Sequence, residues 1–353
     1  MTKKPRVVRL LPALVFSAAL FAVGVSGQSA FVVVMSGLDH PRGMAIGPEG
    51  GLYVAEAGRG GSGPCQIVLP NEAPRCFGLS GAISRLWKGV QERVVTGLPS
   101  QANTQGTTGP HDISFVGRGS AYVSVGSGGN PSLRAGWGPG GELFGTVLQI
   151  PPGGKWRLVA DLAAFELANN PDRGVVDTNI FGLLAEPAGM YVADAGGNAL
   201  LRVEANGNIS VAAVFPARLN STRGTDSVPT DVVRGPDDAL YVSELAGVNF
   251  AAGLANIWRL VPPLAPTVYR PNLQTVIDLD FGLDGSLYYV QHASGVFFSG
   301  PGQLVRVRPN GTTSTVIGGL NRPTSVLVAD DGTVYVTNNG VTPGAGQVLK
   351  INP

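Results

Sequence analysis

The 353-residue chain holds little of what most enzyme chemistry draws on: three histidines, two cysteines and only 14% charged residues. Its net charge is +1, with no basic tract in the body of the chain. The footprint that a phosphate backbone demands is therefore absent, and nucleic acid is not an expected partner. No Gly-x-Ser-x-Gly elbow occurs. The glycine-rich stretches 58–63 and 126–129 do not run from a strand into a helix, which removes support for a phosphate cradle. The one extended apolar run, 10–25, has sixteen residues and contains Pro12, fewer than the ~20 that span a bilayer. Glycine and proline are plentiful, at 51 and 27 residues, so long helices and coiled coils are not expected. With 44% hydrophobic residues there is ample material for a core, which excludes a disordered chain.

At the N-terminus, Lys3, Lys4, Arg6 and Arg9 precede the apolar run, and Ser26 and Gly27 follow it, the layout of a secretory signal peptide cleaved after Gly27. The domain division expected is thus a signal peptide over 1–27 and one folded unit over 28–353. Without those 27 residues, 21 basic stand against 24 acidic residues, a net charge of −3. The predicted location is secreted or periplasmic, with no membrane attachment after cleavage. In such an oxidising compartment Cys65 and Cys76, with Pro70 and Pro74 between them, read as a disulfide closing a short loop. The alternative, two thiols on a metal, lacks the paired spacings and histidines of a zinc site.

One phrase recurs through the chain: an apolar strand, a turn rich in Gly, Pro and Asp, then a strand built on Leu-Tyr-Val. It is clearest over 41–56 and 229–244. The anchor tyrosines Tyr53, Tyr122, Tyr191, Tyr241, Tyr288 and Tyr335 are spaced by 69, 69, 50, 47 and 47 residues. Each copy continues into a second pair of apolar strands, such as 82–87 with 92–96 and 200–203 with 209–214. A four-stranded antiparallel unit of ~40–50 residues is a β-propeller blade, and six copies predict an all-β six-bladed propeller. The last copy supplies only three strands, ending at 347–351, while an orphan strand over 31–35 opens the folded unit. Pairing the two completes the sixth blade and removes the exposed edges of an open array.

This topology gathers the segment before each first strand and the segment after each Leu-Tyr-Val on one rim, here called the upper face. The insertions 57–81, 126–145, 165–179, 216–228 and 292–303 fall there, and long loops on a rigid scaffold are where binding usually sits. Three residues past each anchor tyrosine stand Glu56, Val125, Asp194, Glu244, Gln291 and Asn338. Ten residues before it stand Gly43, Asp112, Phe181 (or Gly182, allowing for a shorter copy), Asp231, Asp278 and Ser325. Glu56, Asp194, Glu244 and Asn338 could form the first shell of a hard cation such as Ca²⁺, which takes six to eight oxygens, or cap neighbouring backbone N–H groups. Asp112, Asp231 and Asp278 are ligand-binding candidates with the same alternative. All three histidines, His40, His111 and His292, also lie in upper segments. His111 is the candidate catalytic base, although its neighbour Asp112 points to the opposite side of the strand. His40 and His292 are candidate ligand contacts. A short rim helix is expected near 165–169.

The repeat Pro-x-Gly-x-Ala-x-Gly-Pro-x-Gly-x-Leu-Tyr-Val-Ala-Glu resembles NHL-type propeller repeats. Gly37-Leu-Asp-His-Pro-Arg-Gly43, the stretch 55–65, Thr108-Gly-Pro-His-Asp112, Asn169-Asn-Pro171 and the stretch 192–198 are similar to the ScyD/ScyE family of exported bacterial proteins. The likeness runs through essentially all of 28–353. It implies a secreted or periplasmic propeller, with namesakes in cyanobacterial gene clusters for the pigment scytonemin, and carries no reaction or catalytic residues with it.

Three functions compete. The first is a small-molecule site on the upper face, metal-assisted if the carboxylates gather a cation. The second is a non-catalytic scaffold for a protein or polymer partner, using loop aromatics Trp137, Phe144, Phe250, Phe297 and Phe298. The third is a quinone-dependent sugar dehydrogenase, for which Arg42, Arg59, Arg134 and Arg322 are the available basic rim residues. A monomer is expected in each case.

Overall fold

The computed structural model describes residues 1–2 and 31–351, apart from 71, 118, 152–154, 221–222 and 248. The signal-peptide segment expected over 1–27 lies almost wholly outside the described residues. Six antiparallel sheets stand around a central channel as the blades of a propeller, five of them four-stranded and the first extended to six strands by two short additions. Their innermost strands are Pro41–Ile46, Pro110–Val116, Ile180–Glu186, Pro229–Arg234, Val276–Phe281 and Val326–Val328, for blades 1 to 6 in order. In each of the six, the Leu-Tyr-Val segment or its equivalent is the second strand, as in Leu52–Glu56 and Leu240–Glu244.

The ring closes as the repeat count requires. The N-terminal strand Phe31–Asp39 pairs antiparallel with the C-terminal strand Pro343–Ile351, so Phe31 faces Ile351 and Val33 faces Leu349. Blade 6 is thus built from both ends of the chain, and no blade has to be stabilised by an unpaired edge beside its neighbour. Side-chain bonds reinforce the same seam: Arg42 Nη1 donates to the Gly340 carbonyl at 2.6 Å, and Thr324 Oγ1 donates to the Pro41 carbonyl at 2.7 Å.

Period-2 alternation places each strand's apolar residues against the adjacent blade. The core is accordingly divided into clusters at the blade interfaces. Ile83 and Leu98 of blade 1 pack on Val123 and Leu148 of blade 2. Val147 of blade 2 packs on Ile180 and Val192 of blade 3. Met35 and Leu38 of the closing strand pack on Met44 and Val54 of blade 1. At ~25 cal/mol per Å² of buried apolar surface, these sheet-on-sheet contacts supply the main driving force for assembly.

Blade 1 departs from the repeat. Its outer strands extend over Arg75–Trp87 and Val90–Ala102, well beyond the expected 82–87 and 92–96. The surplus forms a hairpin on the upper side, where Cys65 lies opposite Cys76 and a disulfide joins them. Segment 165–169 belongs to a longer helix, Leu162–Asn169, capped by Asp161, whose carboxylate accepts the Ala164 N–H at 2.9 Å. No helix of the described residues is long and apolar enough to cross a membrane.

Candidate functional site

A cavity of about 470 Å³ opens at the centre of the upper face, and the three histidines converge on it from blades 1, 2 and 5. All three rings are buried, and each is held through Nδ1. His40 Nδ1 meets the Gly58 carbonyl at 2.7 Å, His111 Nδ1 the Ile180 carbonyl at 3.0 Å, and His292 Nδ1 the Pro323 carbonyl at 2.8 Å. A carbonyl only accepts, so at His111 and His292 Nδ1 carries the hydrogen and Nε2 is left with a lone pair, whereas the His40 ring bonds the Val341 carbonyl as well as that of Gly58. Burial, then the nearby charge of Arg42, depresses His40 to about 4 and His111 to about 3. Burial also takes His292 to about 4. At neutral pH the cavity therefore presents three uncharged imidazoles, of which His40 Nε2 already lies 3.3 Å from Thr107 Oγ1.

Guanidinium groups line the same cavity. Arg42 is buried, and among the described residues its hydrogen bonds go only to the carbonyls of Pro41 and Gly340. Arg322 donates to the Gly300 carbonyl. Burial lowers Arg42 to about 10 and moves Arg322 down as well, with no carboxylate acting on either. Arg75 differs, because Glu72 accepts from its Nε and Nη2 while Thr108 accepts from Nη1. Phe181, Phe297 and Phe298 complete an apolar wall. The Phe298 ring stacks on Phe250 at 3.9 Å and meets His292 edge-on at 5.0 Å.

Below the cavity, Asp112, Asp231 and Asp278 stand in the channel, where each reaches across to the next blade's innermost strand. Asp112 Oδ2 accepts the Leu183 N–H at 2.7 Å, Asp231 Oδ2 that of Leu279 at 3.2 Å, and Asp278 Oδ1 that of Val326 at 3.2 Å. An innermost strand has no neighbour on its channel side, so its N–H groups need such acceptors. Glycine at the matching position makes room: a Cβ on Gly43 would sit 1.8 Å from Asp112 Oδ1, and one on Gly182 would sit 2.5 Å from the Asp231 Cα. The ring position thus reads Gly43, Asp112, Gly182, Asp231, Asp278, Ser325. Burial pushes Asp231 up to about 7. Burial and then the charge of Asp231 hold Asp112 and Asp278 well above the usual carboxylate range.

The cation set expected from Glu56, Asp194, Glu244 and Asn338 does not assemble. Among the described residues no three His, Cys, Asp or Glu side chains gather as a metal-binding group. Each of the four is engaged locally at the end of a second strand. Glu56 accepts from the Asp39 N–H, Ser84 and Arg93. Asp194 accepts from Thr178 and from the N–H groups of Asn179, Gly196 and Gly197. Glu244 accepts from Arg218, Ser227, the Asn256 N–H and Trp258 Nε1. Asn338 accepts the Asn321 N–H at 2.8 Å. These side chains tie upper loops to the blades, the capping alternative.

Two of the loop aromatics are not surface groups, since Trp137 and Phe144 are buried in the cluster between blades 1 and 2. Of the basic rim residues, Arg59 pairs with Asp39 and Arg134 with Asp161, leaving Arg42 and Arg322 for the cavity. The sequence reading passed over Arg75, Thr107 and Thr108, which the blade 1 hairpin and its following loop deliver to the cavity wall. Arg75 falls within the 57–81 insertion, whereas for Thr107 and Thr108 only the length of segment 97–110 is a signal.

No protein-family profile matches the sequence, and no curated protein matches it either. Solved structures match it over nearly its whole length at low identity. A Bacteroides thetaiotaomicron protein of unknown function superposes with a TM-score of 0.55 at 12% identity, covering 91% of this chain and 72% of that one. Regucalcin from Agrobacterium tumefaciens, a calcium-binding protein, gives 0.54 at 10%, covering 91% and 92%. A catalytically inactive variant of virginiamycin B lyase from Staphylococcus aureus, solved with quinupristin, gives 0.50 at 16%, covering 91% and 98%. What this chain shares with them is the six-bladed propeller architecture.

Proposed function

We propose that this protein is an exported propeller of the ScyD/ScyE kind that binds a small organic molecule in the upper cavity. The observation that carries the reading is the convergence of the chain's three histidines, all neutral and two of them, His111 and His292, offering Nε2, on one 470 Å³ space. A cavity of this size, in which convergent polar side chains meet a patch of aromatic rings, has the dimensions of a small-molecule site. Export is supported by the basic and apolar N-terminal layout and by a disulfide of the type that persists in oxidising compartments.

The depressed histidines favour binding over acid–base chemistry. A base at about 3 has little drive to take a proton from a weak acid near neutral pH, where catalysts are tuned closer to 7. His111 therefore serves as an acceptor for a ligand O–H or N–H, with Ile180 fixing its tautomer. The test is a thermal-shift screen of small molecules against the full chain, repeated with His111→Gln and His292→Gln. Ligands that raise Tm for the parent and not for the variants are expected. Ligands whose effect ignores both substitutions would place the site elsewhere.

A further inference from the structure

Resting on the upper cavity as the binding site, we infer that its ligand is an organic anion, an oxyanion such as a carboxylate on an apolar, planar body. The cavity wall contains three arginines and no aspartate or glutamate. Arg75 is neutralised by Glu72 at 2.8 Å. Arg42 and Arg322 form no ion pair among the described residues, and their protein partners are backbone carbonyls alone. Arg42 is only 7% exposed, so its charge is largely withdrawn from bulk water, with no counter-charge paired to it among the described residues.

Burying an unpaired charge is strongly unfavourable, and native proteins neutralise such groups by pairing them. Here the pairing group has to come from outside. Arg42 uses one nitrogen, Nη1, for both of its carbonyls, and among the described residues no partner occupies Nε or Nη2. Those two N–H groups form the side of the guanidinium fork that matches a carboxylate in bidentate fashion. Neither nitrogen is sealed within the protein. The charge of Arg42, itself in the cavity wall, acts on all three histidines.

The rest of the wall describes the ligand's body. Phe181, packed against His111 at 4.4 Å, and Phe298, stacked on Phe250, line the cavity from blades 3 and 5, so aromatic carbon borders it on two sides. Aromatic rings favour a planar partner. The neutral Nε2 atoms of His111 and His292 add acceptors for a hydroxyl or amide N–H elsewhere on the molecule. An anion with no apolar body would leave that wall wet, and an organic cation would meet uncompensated like charge.

The experiment is a titration of the full chain with three probes that share one ring system: 2-naphthoate, 2-naphthamide and 2-naphthylmethylammonium. The naphthoate is expected to bind saturably and about 10-fold or more tighter than the amide, the margin of a charge-assisted hydrogen bond, with the ammonium weakest. Arg42→Met should erase the preference for the anion, and Arg42→Lys should restore part of it. Arg322→Met, at a more exposed position, should reduce it and keeps the test available if Arg42→Met does not fold. No saturable binding of the naphthoate, or amide or ammonium binding as tightly, overturns the anion assignment. If the amide binds and His111→Gln abolishes it, the cavity remains the site and the anion inference alone falls. Probe binding indifferent to every cavity substitution removes both.

Discussion

Asp112 shows what one carboxylate of the channel ring contributes. Its two oxygens accept the N–H groups of Ile113 and Leu183, so it cross-links the innermost strands of blades 2 and 3. Asp112→Ala strands both donors inside the channel, and denaturant unfolding should show a loss of about 1–3 kcal/mol. Asp112→Asn keeps an acceptor, suits a site that already favours the uncharged form, and should cost less. Equal stability of all three proteins would mean that the bridge does not contribute. Glu166 is the sharper anomaly. It is 2% exposed, its Oε1 has no partner, and burial together with Asp194, Asp172 and Asp177 raises it to about 8. An unfolded glutamate near its ordinary value of 4.5 releases its proton earlier, so the folded state holds the extra proton and loses stability as pH rises through 4.5 to 8. The histidines, lowered in the fold, act oppositely and only below 6.5. Between pH 7 and 8 the carboxylates therefore dominate, and Tm should rise as pH falls across that interval. Glu166→Gln should flatten the slope and raise Tm at pH 8 by ~2 °C or more. A slope unchanged in the variant would assign it to other groups.

At the scale of elements, the two devices that hold this propeller together differ in reach. The strand Phe31–Asp39 completes blade 6 and buries Met35 and Leu38 against blade 1. Removing residues 1–39 should open the ring, and loss of the cooperative thermal transition is expected; a truncated chain that still unfolds in one sharp step would contradict ring closure as a source of stability. The Cys65–Cys76 bridge spans 11 residues and pins one hairpin. A loop that short is worth about 3 kcal/mol at most in the chain-entropy model, so the double substitution to serine should leave the blades folded. The blades were legible in sequence because Leu-Tyr-Val, a polar turn and strand periodicity repeat together. The hairpin was not, since nothing in the repeat limits how far Arg75–Trp87 and Val90–Ala102 continue past the blade. The misassigned cation set has a similar origin. A carboxylate at a strand end reads the same in sequence whether it meets a metal or a loop N–H, and only the positions of Ser84, Thr178 and Trp258 decide between them.

For the whole molecule, the architecture sets a polar gradient along one axis. The channel carries acidic groups, raised and tied to the blade strands, while the upper cavity carries uncompensated guanidinium groups and neutral imidazoles. The propeller creates this by bringing equivalent positions of six repeats to one place, so a residue type at one register becomes a layer. His40, His111 and His292 were recognisable as upper-face residues from the repeat, but how their rings are held was not, because Gly58, Ile180 and Pro323 supply carbonyls from three separate segments. These imidazoles are expected to form one buried, neutral site, and a chain with only three histidines allows a direct test of it. The measurement is a long-range ¹H–¹⁵N correlation spectrum of the imidazole nitrogens, recorded from pH 7 down to pH 5. The account predicts three neutral rings, none titrating in that range, with His111 and His292 protonated on Nδ1. A ring that protonates near its ordinary value of 6.5, or a hydrogen on Nε2 of His111 or His292, would contradict it.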